Sequence, residues 1–263
     1  MSELRTYELR TYELNTPQHK LYSDMYLYQT LDLVKEKRKE YSQLNKKRMS
    51  IHSALNMLDA FIDPSDPDLD VPNSIHAYQT AERIRRKYPL DKELQIIGLI
   101  HDLGKVLFSF GEPSFLVVGD TFALGCEIPK SVVYYECSKL NPDFNKYDQL
   151  GIYKEKCGLN NLILSYGHDE YLYEVLKNDK NKRKHLLSDK YLDVIRYHSF
   201  YPWHTSGEYR RFMNDKDHNT LENVLKFNEF DLYSKEDPIE ITQEVKDYYT
   251  NLLNEFFHED LLW

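Results

Sequence analysis

Ile96-Ile97-Gly98-Leu99-Ile100 is an unbroken apolar run that leads directly into His101-Asp102-Leu103-Gly104-Lys105. A run with no polar face belongs to an element buried on all sides. An imidazole and a carboxylate at its end must be paired or must bind a cation, because an unpaired buried charge is too costly. Further single residues of the same kind sit on other apolar stretches: His76, His168, His198 and Asp231. Taken singly, each histidine reads as a core residue satisfied by a hydrogen bond, and Asp231 as a cap. Six together change the balance, since one core rarely holds four imidazoles and two carboxylates without a cation. Imidazole and carboxylate without thiolate suit iron, manganese or zinc. The set is too large for one tetrahedral zinc. It suits two metals bridged by a carboxylate, ~3.5–4 Å apart, and Asp102, next to His101, is well placed to be that bridge. Lys105 lies three residues beyond Asp102, so on a helix the two side chains point to one side; the plainer reading is a cation at a helix C-terminus.

These residues need elements to hold them, and the periodicity supplies helices. A helix is expected over residues 21–41, with Met25, Leu31, Leu33 and Val34 on its apolar face and the basic run Lys35-Glu36-Lys37-Arg38-Lys39 as a solvated end. A second is expected over 50–62. Residues 63–73 carry three prolines and four aspartates, which forbid a helix and read as Asx-turns or as short acceptors lining a polyol pocket. Asn73 or Ser74 then caps a helix with His76 in its first turn. Further helices are expected over 162–176, with Leu164, His168 and Leu172 on one face, over 191–197 with His198-Ser199 at its end, over 221–230 leading to Asp231, and over 241–257. Residues 115–121 read as a short strand or extended loop ending in a Gly119-Asp120 turn. Period-2 alternation is almost absent, so the fold class is all-α, with helices packed round a central site. The division is an N-terminal arm, residues 1–20, containing the tandem Leu-Arg-Thr-Tyr-Glu, and a single catalytic domain, residues 21–263.

Composition narrows the function. The 263 residues carry a net charge of −9, which opposes general affinity for nucleic acid or an anionic membrane surface. Aromatics make up 14%, including 22 tyrosines, a residue suited to cleft walls. Cys126, Cys137 and Cys157 show no C-x-x-C spacing, so neither a disulfide framework nor a cysteine-zinc site is expected. No apolar stretch approaches the ~20 residues of a membrane span, and Met-Ser-Glu-Leu-Arg is too charged for a signal peptide. A cytoplasmic monomer is expected. The other histidines, His19, His52, His185, His204, His218 and His258, read as surface or packing residues, with His204 able to support the site.

The order His…His-Asp…His…His…Asp on a helical chain resembles the HD-domain superfamily, most of whose members are metal-dependent phosphohydrolases. Longer stretches resemble one branch of it, the inositol oxygenase family. They include Asp66-Pro67-Asp68-Leu69-Asp70-Val71-Pro72-Asn73-Ser74, His76-Ala77-Tyr78-Gln79-Thr80-Ala81-Glu82, His101-Asp102-Leu103-Gly104-Lys105 and Val117-Val118-Gly119-Asp120-Thr121-Phe122. Gly167-His168-Asp169-Glu170-Tyr171, His198-Ser199-Phe200-Tyr201-Pro202-Trp203-His204-Thr205 and Phe230-Asp231-Leu232-Tyr233 complete the set. The resemblance runs from about residue 21 to 263 and implies an HD-domain-like helical bundle around a dinuclear iron site. It implies that His76, His101, Asp102 and Asp231 hold one iron, and that Asp102 bridges to a second held by His168 and His198. The implied activity is cleavage of the myo-inositol ring with O2 to D-glucuronate, a step of inositol catabolism, by a mixed-valent Fe(II)/Fe(III) pair. Lys105 would bond an inositol oxygen and lower that hydroxyl's pKa. Arg10, Asp63, Ser65, Gly119, Asp120, His198 and Ser199 would complete the substrate contacts; Pro64 stands where the family usually has an acidic residue. A binuclear HD-type phosphohydrolase using the same ligands is the second reading, and a non-catalytic binding module with a residual metal site the third.

Overall fold

The structure, a computed structural model, describes residues 13–65, 72–231 and 239–263. Arg10, most of the N-terminal arm and the middle of the aspartate-rich loop lie outside the described residues. Among the described residues the secondary structure is mostly helical, as expected. The first two helices are α1 (Pro17–Tyr28) and α2 (Leu31–Tyr41). They are not the single helix expected over 21–41, and α1 begins before the boundary set at residue 20. The break has a side-chain cause. Gln29 is fully buried, and its amide donates to the carbonyls of Phe115 and Tyr166 at 2.6 and 2.9 Å while accepting from the Tyr166 N–H at 2.5 Å. Thr30 then caps α2 by accepting from the Leu33 N–H. The basic run is not merely solvated either: Lys37 pairs with Glu112, and Arg38 with Glu170 and Glu174.

Ser50 caps α3 (Ile51–Met57). The site-bearing helices follow: α4 (Asn73–Lys87), α5 (Lys92–Ile100) and, after the short α6 (Tyr135–Ser138), α7 (His168–Lys177) and α8 (Asp189–Tyr197). The aromatic turn is a one-turn helix, α9 (Tyr201–His204), with α10 (Asp215–Asp231) and α11 (Gln243–Phe256) behind it. The helix expected over 162–176 starts only at His168. Ile163–Leu164 is a strand, β3, paired antiparallel with β2 (Ala123–Leu124), so Leu164 shares no helical face with His168. Residues 114–116 form a tight helical turn rather than the start of a strand. A second two-residue ladder joins β1 (Arg48–Met49) to β4 (Leu261–Leu262).

The core is continuous through these helices, and α5 lies at its centre, with every residue from Leu94 to Ile100 buried. Gly98 lets α5 approach α4: a Cβ there would lie 2.9 Å from the Ala81 Cα. Tyrosines serve this core more than cleft walls. Tyr26, Tyr41, Tyr166, Tyr197, Tyr209 and Tyr249 are all nearly inaccessible. Tyr26 and Tyr41 keep their hydroxyls satisfied by donating to the Val133 carbonyl and to Glu112.

Two stability predictions follow from this packing. Gln29→Ala strands the Phe115 carbonyl and both backbone groups of Tyr166, at about 1–3 kcal/mol for each group left unpaired; thermal unfolding should show a clear loss of Tm. Asp193, on α8, has its carboxyl pushed up to about 6, by burial first and against the pull of Arg196 and Lys177. Its folded pKa exceeds the ordinary 3.8, so its ionisation opposes folding as pH rises from about 4 through 6. Asp193→Asn should therefore raise Tm at pH 7.5, and the gain should vanish as pH falls towards 4.

Candidate metal centre

Five separate elements deliver the predicted ligands to one place. His76 stands in the first turn of α4, His101 follows the last residue of α5, and Asp102 follows it. His168 is the first residue of α7, His198 follows the last residue of α8, and Asp231 ends α10. Leu103–Phe110 is a tighter, 3-10 type helix. In that geometry residues three apart eclipse, which sets Lys105 directly over Asp102.

The distances define two groups that share a carboxylate. The Asp231 Oδ1 lies 3.0 Å from the His76 Nε2 and 3.3 Å from the His101 Nε2. The Asp102 Oδ2 lies 3.6 Å from the His101 Nε2, while its Oδ1 lies 3.1 Å from the His168 Nε2 and 3.7 Å from the His198 Nε2. One oxygen of Asp102 thus faces His101 and the other faces His168 and His198. Two sets of donor atoms are close enough to hold an ion: His76, His101 and Asp231, and His101, Asp102 and His198.

Hydrogen bonds settle which ring nitrogens are available. The Nδ1 of His101 is 2.9 Å from the Gly98 carbonyl, that of His168 is 2.8 Å from Val117 and that of His198 is 2.7 Å from Ile195. A carbonyl only accepts, so each Nδ1 carries a proton and each Nε2 is the nitrogen turned inward towards Asp102. The consequence is plain at His168 and His198, whose Nε2 atoms face each other at 3.1 Å. Two lone pairs at that distance repel unless a cation or proton lies with them, whereas backbone-anchored Nδ1 groups are the usual support of metal-bound imidazoles. The residues present therefore fit a metal.

Charge points the same way. Asp63 and Asp102 hold the Lys105 ammonium, with their carboxylates at 2.8 and 2.9 Å from its Nζ, and Asp231 adds a third carboxylate beside His76 and His101. Burial would raise the Asp102 carboxyl, but Lys105 and His101 hold it well below the usual range. Burial is likewise outweighed at Asp231 by His101 and His76, which keep that carboxyl well down. At His101 and His168 burial alone would lower the imidazole pKa; Asp102 outweighs it at both, joined by Asp231 at His101, and raises them. The pocket attracts positive charge.

The substrate-side candidates fall on the Lys105 flank and above His168. The Asp63 Oδ1 accepts from the Ser65 N–H and hydroxyl at 2.8 and 2.5 Å while its Oδ2 holds Lys105. Gly119 has φ +108°, and a Cβ there would meet the Met25 sulfur. Asp120 accepts from the Tyr22 hydroxyl at 2.7 Å. The next residue, Thr121, donates its N–H to the Ser199 carbonyl, and the Ser199 hydroxyl reaches the His168 Nε2 at 3.4 Å.

Several supporting residues escaped the sequence reading. Asn73, expected as a cap, instead donates to the Leu58 and Phe61 carbonyls and accepts from Lys105 at 3.3 Å; its position just ahead of His76 was the available signal. Ser74 is not the cap either, since it is tied to Asp59. Phe227 packs edge-on against His101 and His198. His204 does support the site, donating its Nε2–H to the His198 carbonyl. Gly104 permits a close backbone approach: a Cβ there would lie 1.8 Å from the His168 carbonyl oxygen.

The chain is similar to known proteins along most of its length. A family model described as myo-inositol oxygenase matches residues 16–263. Inositol oxygenase of Sus scrofa is 43% identical over 246 residues, covering 92% of this chain and 86% of that protein. Inositol oxygenase 1 of Arabidopsis thaliana is 45% identical over 248 residues, with 92% and 78% coverage. Inositol oxygenase of Dictyostelium discoideum is 43% identical, with 100% and 90% coverage.

Gly104→Ala tests the close approach. The methyl must push the 103–110 helix away from α7, and with it Asp102 from His168. Metal content of the purified variant should fall well below that of the parent, together with its Tm; unchanged metal content would show that this contact does not set the site.

Proposed function

We propose that this chain, which belongs to the myo-inositol oxygenase family, cleaves the ring of myo-inositol with O2 to give D-glucuronate at a pair of iron ions. One ring C–C bond breaks; one oxygen atom of O2 enters the new carboxyl group and the other leaves as water. The observation that carries the reading is the set of inward Nε2 atoms of His101, His168 and His198 converging on the two oxygens of Asp102. His76, His101, Asp102 and Asp231 would hold one iron, and Asp102, His168 and His198 the other. When bound, a mixed-valent Fe(II)/Fe(III) pair supplies the one-electron chemistry that lets O2 react with a closed-shell polyol.

The chain's own residues bind and polarise the substrate. Lys105 is buried, which would lower its pKa, but Asp102 and Asp63 raise it above the ordinary lysine value. It is a fixed ammonium and not a base. A substrate hydroxyl accepting its N–H in place of the Asn73 amide would meet a cation that favours the ionised oxygen and so lowers that hydroxyl's pKa. Asp63 and Ser65 would bond neighbouring ring hydroxyls, with Gly119, Asp120, Ser199 and the His198 segment on the other side and Arg10 from the N-terminal arm. These partners suit a neutral polyol better than a phosphate ester. Lys105 already faces two carboxylates, and a phosphate beside Asp63 would be repelled.

No helix among the described residues is long and apolar enough to cross a membrane. The proposed setting is a cytoplasmic monomer, in keeping with three free cysteines.

Iron-loaded, partly reduced protein should consume O2 on addition of myo-inositol and release D-glucuronate, and it should hold about two irons per chain with an electron-spin signal from a mixed-valent pair. A single bound zinc, or phosphatase activity without O2 uptake, would overturn the reading. Lys105→Ala should keep both irons and lose turnover by about 10²-fold or more, whereas His101→Ala should lose iron itself.

A further inference from the structure

Arg196 and Glu170 stand two residues from His198 and His168 respectively, one on each of the helices that bring those imidazoles together. They form a bidentate pair, Arg196 Nε to Glu170 Oε2 at 2.8 Å and Nη2 to Oε1 at 3.1 Å. Both side chains are essentially inaccessible, at 2% and 0%. The remaining guanidinium nitrogen donates to the Asn160 side chain at 3.1 Å and the Tyr197 hydroxyl at 3.0 Å, and the ring of Tyr173 lies under the guanidinium. From the far side Arg38 reaches the Glu170 Oε1 at 3.2 Å and Glu174 at 2.8 Å.

An ion pair this deep is a poor source of stability, because desolvation consumes most of its Coulomb energy. What it supplies is geometry. A planar guanidinium locked on both carboxylate oxygens fixes the distance and the twist between two backbones, which a single-point contact cannot do. Here those backbones carry His168 and His198, whose Nε2 atoms must stay 3.1 Å apart against mutual repulsion. We infer that Arg196 is a positioning residue for the second metal position: its two-point grip on Glu170 sets the spacing of His168 and His198. The group of His76, His101 and Asp231 stands on α4, α5 and α10, whereas the hydrogen bonds and ion pairs that extend from the pair run to Asn160, Tyr197 and Arg38. The inference rests on the metal-site reading above and goes beyond it by assigning unequal effects to the two positions.

The test is anaerobic titration of metal-free protein with Fe(II), following bound iron per chain in two steps. Arg196→Lys keeps the charge and loses the second point of contact; Glu170 keeps Arg38, so the carboxylate is not stranded. One of the two steps should lose about tenfold to a hundredfold in affinity, the other should change by less than about twofold, and the mixed-valent signal should weaken in proportion. The double variant Arg196→Met/Glu170→Met, which leaves no unpaired charge between these two positions, should fold and show the same selective loss. Leu253→Ala, a cavity in the buried face of α11, serves as the control: it lowers Tm and should leave both steps alike. Equal weakening of both steps in Arg196→Lys, or none, overturns the inference while leaving the metal centre standing. A parent protein that takes up fewer than two irons overturns the reading of the centre itself.

Discussion

The structure depends on keeping four imidazoles and three carboxylates in one water-poor place without letting them neutralise one another by collapse. Backbone carbonyls do most of this. Gly98, Val117 and Ile195 each accept a hydrogen bond from the Nδ1–H of one histidine, which fixes the ring's rotation and turns its Nε2 inward. Each of these carbonyls belongs to an element that is ending or turning, where an oxygen is left over from the helical ladder or from a loop. The ends of helices are thus both the source of the converging side chains and the source of the groups that orient them. A chain that placed the same histidines in helix interiors would have no spare carbonyl to hold them.

Bringing those ends together requires backbones closer than side chains normally allow. Gly98 brings α5 against Ala81 of α4, and Gly104 brings the 103–110 helix against the first residue of α7. The apolar core then surrounds these contacts, and polar cross-links are reserved for places where chain segments must meet at a definite point. Gln29 ties the gap between α1 and α2 to Phe115 and Tyr166, and Glu170 ties α7 to both α8 and α2. Each such link satisfies several buried groups at once, which is why a single buried amide or carboxylate can be tolerated there.

Charge decides what such a cavity is for. Among the described residues around Asp102 the carboxylates of Asp63 and Asp102 outnumber the Lys105 ammonium, and the imidazoles of His101 and His168 are pulled towards holding positive charge. A site of this sign welcomes metal cations and a neutral, hydroxyl-rich ligand, and it disfavours an anionic ester. Lys105 gives the cavity one donor of fixed charge, held over Asp102 by the eclipsed geometry of its helix.

Sequence alone was enough to pick out the residues that converge and the helical class. His101 and Asp102 end an apolar run, and the other four residues recur on apolar stretches; a polar group in such a setting demands a partner wherever the chain goes. Local pattern also located α5, α8 and α11 to within a few residues. It failed where a long-range contact overrode it. Residues 21–41 read as one helix because nothing local shows that Gln29 is taken by Phe115 and Tyr166, and residues 162–164 read as helix because their partner strand lies some forty residues away. Lys37 and Arg38 looked solvated because the acids they meet, Glu112, Glu170 and Glu174, come much later in the chain. Tertiary structure alone decided that Asn73 touches Lys105, that Gly104 lies under His168, and that Arg196 grips Glu170 beside the two facing imidazoles. Composition and periodicity report what each segment must bury; only the folded packing reports against which atoms, and the spacing of a metal centre is set by those atoms.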